Sequence, residues 1–177
     1  MANNYILFCE EIGPLTQKEL SWWENVSTLG GDDGTFEKLK DKDFTALGLE
    51  PKNMRDIYDS AGNFPTFSIE GDMRSESLGK EVRRVFIFSE ECGNPDDAAY
   101  LMMRFLKKFR PKSYLKLEVA FTCSASRANE FGGCAAFITA TGMDWISTSG
   151  WLSDKMLEHA KKQKRGTPKR TAKKRTK

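Results

Sequence analysis

Phe8-Cys9-Glu10-Glu11-Ile12-Gly13-Pro14 and Phe88-Ser89-Glu90-Glu91-Cys92-Gly93-Asn94-Pro95 are two versions of one phrase. Each follows a short apolar run and precedes a stretch of helical period, so each reads as a joint between a strand and a helix. Upstream of the first copy, Tyr5 to Cys9 is a continuous apolar run, expected to form a strand buried on both faces and to end at Glu10. Downstream, Thr16 with Glu19 forms a capping box, and Leu20, Trp23 and Val26 or Ser27 follow along one helical face. The second copy is preceded by an expected strand over Val82 to Glu90. Asn94 and Pro95 then open a helix over Asp96 to Phe109, which Pro111 stops.

The remaining elements follow from period and punctuation. Phe64 to Glu70 reads as a strand, with the polar residues Gly71 to Lys80 as its turn into the next. Tyr114 to Cys123 alternates, with Leu115, Leu117, Val119 and Phe121 on one face. Cys134 to Ala140 reads as another strand, and Asp144 to about Gln163 as the final helix. Residues 29–63, rich in Gly and Asp, hold two amphipathic pieces, Asp43 to Leu49 and Asn53 to Tyr58, separated by Pro51. They are expected to form an insertion lying mostly on the surface. Strand, helix, strand, then strand, helix, strand is the succession of a ferredoxin-like, split βαβ domain. The expectation is therefore a single α+β domain over residues 1–160. Its sheet is predominantly antiparallel, extended by one added strand and a C-terminal helix, with the first and third strands central, adjacent and parallel.

The charge divides the chain in two. Residues 161–177 carry ten Lys or Arg and no acid, whereas residues 1–160 carry 18 Lys or Arg against 25 Asp or Glu, a net −7. Lys161, Lys162, Lys164, Arg165, Lys169, Arg170, Lys173, Lys174, Arg175 and Lys177 lie in a run punctuated by Gly166 and Pro168. Such a run buries no apolar surface and is expected to be a disordered arm with affinity for DNA or RNA phosphates. At about 3.3 Å per extended residue it reaches about 55 Å, against a radius of gyration of about 15 Å for the body. The competing account is that the run keeps the protein soluble or serves as a transport address. With no aromatic residue in the run, stacking of bases on the arm is not expected.

Other residues invite chemistry more weakly. Parallel first and third strands would bring Glu10, Glu11, Glu90 and Glu91 together, as weak candidate ligands for Mg²⁺ or Mn²⁺ in a phosphoesterase. The alternative is that they are solvated or favour the helix N-termini beside them. The loop between Ser124 and Gly133 holds Arg127, Asn129 and Glu130, a candidate binding site, or else a turn in which Gly132 and Gly133 supply conformational freedom. Cys9, Cys92, Cys123 and Cys134 lack the close spacing of zinc ligands and are expected to be buried, reduced thiols. The lone His159 offers no triad, and Trp22, Trp23, Trp145, Trp151, Met102 and Met103 read mainly as core. The first residues, Met1-Ala2-Asn3-Asn4, lack the form of a secretory signal, and no apolar run reaches membrane-spanning length. A cytoplasmic chain without membrane association is expected. No cofactor motif is present.

Phe121-Thr122-Cys123-Ser124, then Arg127, then Glu130-Phe131-Gly132-Gly133, followed by an apolar strand and Asp144-Trp145-Ile146-Ser147-Thr148, resembles small bacterial proteins, some carried on mobile elements, that have no assigned function. The resemblance spans residues 82–155, implies that the loop belongs to a recurring architecture, and carries over no catalytic residue. Three functions remain in view. The leading one is a nucleic-acid-associated accessory protein, with a non-specific arm and an acidic body able to engage a protein. The others are an interaction or inhibitor module of a mobile element, and the glutamate phosphoesterase. The balance of residues leans away from an enzyme.

Overall fold

The computed structural model describes residues 4–30, 35–61, 64–75, 81–124 and 132–166. Six strands form one antiparallel sheet: β1 (Asn4–Leu15), β2 (Ser68–Ser75), β3 (Glu81–Ser89), β4 (Tyr114–Cys123), β5 (Gly132–Thr139) and β6 (Met143–Ser147), in the spatial order β2-β3-β1-β4-β5-β6. The helices are α1 (Gln17–Ser27), α2 (Thr35–Lys38), α3 (Asp41–Leu47), α4 (Pro51–Ala61), α5 (Pro95–Phe109) and α6 (Thr148–Gly166). Among the described residues, no helix is long and apolar enough to cross a membrane.

The α+β class and the antiparallel sheet are as expected, but the direction of the central pair is not. β1 and β3 run antiparallel, with Phe8 opposite Ser89, Glu10 opposite Ile87 and Ile12 opposite Val85. The physical reason lies in the crossovers. A strand returning through a helix comes back parallel to its predecessor, and the gap between them is filled by an antiparallel strand from the other half. Neither does β1 end at Glu10: it continues through Glu11 and Ile12 to Leu15, with a register irregularity between Ile12 and Leu15. The two copies of the repeated phrase thus differ in form. The first remains in the strand, while the second leaves it, the Ser89 hydroxyl accepting the Gly93 N–H at 2.8 Å. A Cβ at Gly93 would fall 2.6 Å from that hydroxyl.

Alternation separates the two faces of the sheet. Phe8, Ile12, Val85, Ile87, Leu117, Val119, Ala136 and Ile138 are buried on one face, beneath α1 and α5. Both helices also bury consecutive residues, Trp22 with Trp23, Ala98 with Ala99, Leu101 with Met102, and Phe105 with Leu106. Neighbours on a helix point about 100° apart, so such pairs require cover on two sides. That second cover comes from residues 29–61. The expected surface insertion instead sends Leu29, Phe36, Phe44, Leu49 and Met54 into the core and packs outside α1 and α5 as a third layer. Polar contacts fix it there: the Trp22 indole donates to Leu47 O at 2.7 Å, Glu50 N–H donates to the Tyr100 hydroxyl at 3.1 Å, and Arg104 binds Glu50 and Gly48 O.

Helix starts obey local rules. Thr16 and Glu19 form the expected capping box, and Asn94 caps α5 by accepting the Asp96 N–H at 3.0 Å. The expected final helix begins later than Asp144, because Met143–Ser147 pairs with β5 as a sixth strand. Thr139 closes the preceding turn, donating its N–H to Gly142 O at 2.9 Å. The residues of this strand, among them Trp145 and Ile146, suit an extended edge better than the crowded first turn of a helix.

Candidate functional site

Among the described residues, no helix lies across most of the second face of the sheet. Register places Leu7, Cys9, Glu11, Phe86, Phe88, Lys116, Glu118, Ala120, Gly133, Ala135 and Ile146 on it. The residues at its middle are small, and two depressions result. One of about 610 Å³ is lined by Ala120, Gly133, Ala135, Ile146 and Trp151, and the other, of about 500 Å³, by Cys9, Phe88 and Glu90; Leu7 borders both. Gly133 is required here, since a Cβ would stand 2.6 Å from Val119 O. Farther along the strands, Tyr114 and Phe137 stack at 5.1 Å, and both are exposed.

Helix α6 leaves directly from β6. The Thr148 hydroxyl spans Gly133, accepting its N–H at 3.2 Å and donating to its carbonyl at 3.2 Å, while Gly150 N–H donates to the Ser147 hydroxyl at 3.1 Å. Beyond that clamp every described side chain through His159 is exposed. Trp151, Leu152, Met156 and Leu157 are 50, 54, 72 and 57% exposed, a run of apolar surface that an isolated soluble helix does not need. The helix continues to Gly166, so Lys161, Lys162, Lys164 and Arg165, expected in a disordered arm, are helical in backbone. Lys169, Arg170, Lys173, Lys174, Arg175 and Lys177 lie outside the described residues.

The four glutamates do not converge as expected. Glu10 and Glu11 sit opposite Ile87 and Phe86, whereas Glu91 O accepts the Ile6 N–H at 2.6 Å, four residues back along β1 and about 13 Å away. Antiparallel pairing of β1 with β3 is the cause. Glu10 accepts the Glu118 N–H at 2.9 Å, beyond the last β1–β4 pair at Leu7 and Ala120. Burial raises its pKa above the ordinary value, against the lowering effects of that hydrogen bond and of nearby Lys116. Glu11 pairs with Arg84 at 3.1 Å. Among the described residues no three His, Cys, Asp or Glu side chains gather as a metal site. The phosphoesterase expectation therefore loses the geometry on which it stood.

Arg127, Asn129 and Glu130 lie outside the described residues; the flanking strands remain paired to Phe121 and Gly132. None of the four cysteines is in a disulfide, but Cys9 and Cys92 are exposed and Cys123 and Cys134 half-buried, rather than buried as expected. Desolvation raises the Cys134 pKa, which removes it as a ready thiolate. Trp22, Trp23 and Met102 are core as expected, and Met103 packs against it, whereas Trp145 and Trp151 are exposed.

No family model, no curated protein and no solved structure matches this chain. The site must be read from its own residues. Two parts of it were missed in sequence: the small-residue floor and the unburied apolar side of α6. Both left a signal, since Tyr114 to Cys123 alternates on two faces and Trp151, Leu152, Met156 and Leu157 fall within a few helical turns. What alternation leaves open is whether a second layer covers each face.

Proposed function

We propose that the chain is a nucleic-acid-associated accessory protein whose cationic C-terminal segment contacts phosphate while its acidic body stands off. The observation that carries this reading is the exit of α6. It takes the start of the ten-cation run away from a body of net −7, with every described side chain from Thr148 to His159 exposed. Like-charge repulsion between body and polyanion then keeps contact at the segment. The strand order β4-β1-β3-β2, with α1 following β1 and α5 following β3, supports a ferredoxin-like core to which β5, β6 and α6 are appended. Binding would be independent of sequence and steep in salt, because Lys and Arg read phosphate rather than bases. The test is fluorescence anisotropy with labelled single- and double-stranded DNA and RNA at low salt. Removal of residues 161–177 is expected to abolish binding; unchanged binding would refute the proposal.

A second reading, an interaction module of a mobile element, is favoured by the exposed apolar surface on the open face and on α6. Its partner would be a protein engaged by the body, and capture of that partner by a chain lacking residues 161–177 is the corresponding test.

A further inference from the structure

We propose that two copies of this chain exchange α6 reciprocally, each helix lying across the open sheet face of the other. The inference does not require nucleic-acid binding and rests on a match between two surfaces of one molecule.

The first surface is the groove running across β3, β1, β4, β5 and β6, floored by Leu7, Ala120 and Ala135. Four strand-to-strand steps make it about 19 Å long. The second is α6, where Trp151 to Arg165 spans about 21 Å at 1.5 Å per residue. Length therefore fits length. Apolar character fits as well, with Leu152, Met156 and Leu157 available for a floor of small apolar side chains.

Charge sets the direction. The groove ends at β3 beside the exposed Glu90, and the later turns of α6 bring Lys161, Lys162, Lys164 and Arg165 in sequence. Laid from the β6 edge toward β3, the helix would bring its cationic turns to the Glu90 end and its apolar residues over the small ones. An amphipathic helix seated in an apolar groove with its charge complemented is a recurrent mode of recognition.

The helix borders its own groove with Trp151, and its described side chains from Leu152 to His159 stay exposed, because the double contact of Thr148 with Gly133 and the Ser147–Gly150 bond fix its exit at the end of β6. A second copy supplies the same helix without bending that junction. The contact is self-complementary, and a twofold axis closes it as a dimer.

The experiment uses nuclease-treated full chain, so that no polynucleotide can bridge copies, and measures mass by sedimentation equilibrium across a concentration series. The expected species is a dimer of about twice the 20.1 kDa chain. Leu152→Asp with Met156→Asp, on exposed helix positions, removes the occupant, and Ala120→Arg blocks the floor while repelling the cationic helix. The helix double change is expected to weaken self-association at least about 100-fold, two lost apolar anchors counting about tenfold apiece, and Ala120→Arg to leave the chain monomeric. Circular dichroism should show both variants folded. The decisive arm is their mixture, in which the intact helix of one meets the intact groove of the other. One of two contacts is restored, and heterodimer should appear where neither variant self-associates. A monomeric wild type, an Ala120→Arg chain that still dimerises, or a mixture that stays monomeric would each overturn the proposal.

Discussion

Two buried carboxylates behave oppositely because of what faces them. Asp97, in the first turn of α5, is 5% exposed and one of its oxygens has no hydrogen-bond partner, so desolvation, with a smaller push from Asp96, raises its pKa to about 6. Its folded pKa lies above the ordinary 3.8, so the stabilising effect of protonation is full below 3.8 and is lost as pH rises to about 6. Against the helix N-terminus, which favours the anion, the net cost at neutral pH is about 1 to 2 kcal/mol. Asp97→Asn is expected to raise the melting temperature at pH 7 and to flatten the fall in stability between pH 4 and 6. Glu19 shows the reverse. The Arg110 guanidinium, bonded at 2.6 and 3.0 Å, holds its carboxyl below the usual range despite burial, and Thr16 adds two further bonds. That contribution is present above pH 4.5 and lost as pH falls through the depressed value. Glu19→Ala should cost about 2 to 3 kcal/mol in urea unfolding at pH 7, since it also strands Arg110, which otherwise ties α5 to Pro14 O at 2.6 Å. The exposed Lys116–Glu118 pair, though just 2.6 Å apart, should leave stability unchanged when Lys116 becomes Ala.

Elements here are held by what covers them. The short helices of residues 35–61 are too brief to be stable alone and persist because Phe36, Phe44 and Met54 are buried against α1, α5 and Phe64. Gly30 governs that junction, because a Cβ there would overlap the Phe64 carbonyl oxygen. Gly30→Ala is therefore expected to destabilise the fold by about 2 to 4 kcal/mol, read as a lowered denaturant midpoint with the slope preserved. The Asp- and Gly-rich composition around this segment suggested surface; the buried Phe and Met positions, spread over three short helices, leave no single amphipathic stripe to be read. In α6 the opposite holds. Its apolar residues were legible, but the expectation of burial failed for Trp151, because the described side chains of the helix from Thr148 to His159 are all exposed.

For the whole molecule, separation of charge predicts a graded response. Residues 167–177 hold six of the ten C-terminal cations, while four lie in the last turns of α6. Deleting residues 167–177 should lower the slope of log K against log salt by more than half of what deleting residues 161–177 removes, each phosphate contact counting about 0.9 on duplex DNA. Equal slopes for the two truncations would place the contacts on the helix alone. The sequence by itself determined the charge division, the helix caps at Thr16 and Asn94, the strand-to-helix joint of the second copy of the repeated phrase and the α+β class, because each depends on residues close in the chain. Only the tertiary structure decided that β1 and β3 oppose one another, that Glu10 and Glu91 stand apart, that residues 29–61 complete the core, and that one sheet face lies open. Strand direction and cover are properties of partners distant in sequence. Alternation states that a strand has two faces, and only packing determines which of them meets another layer.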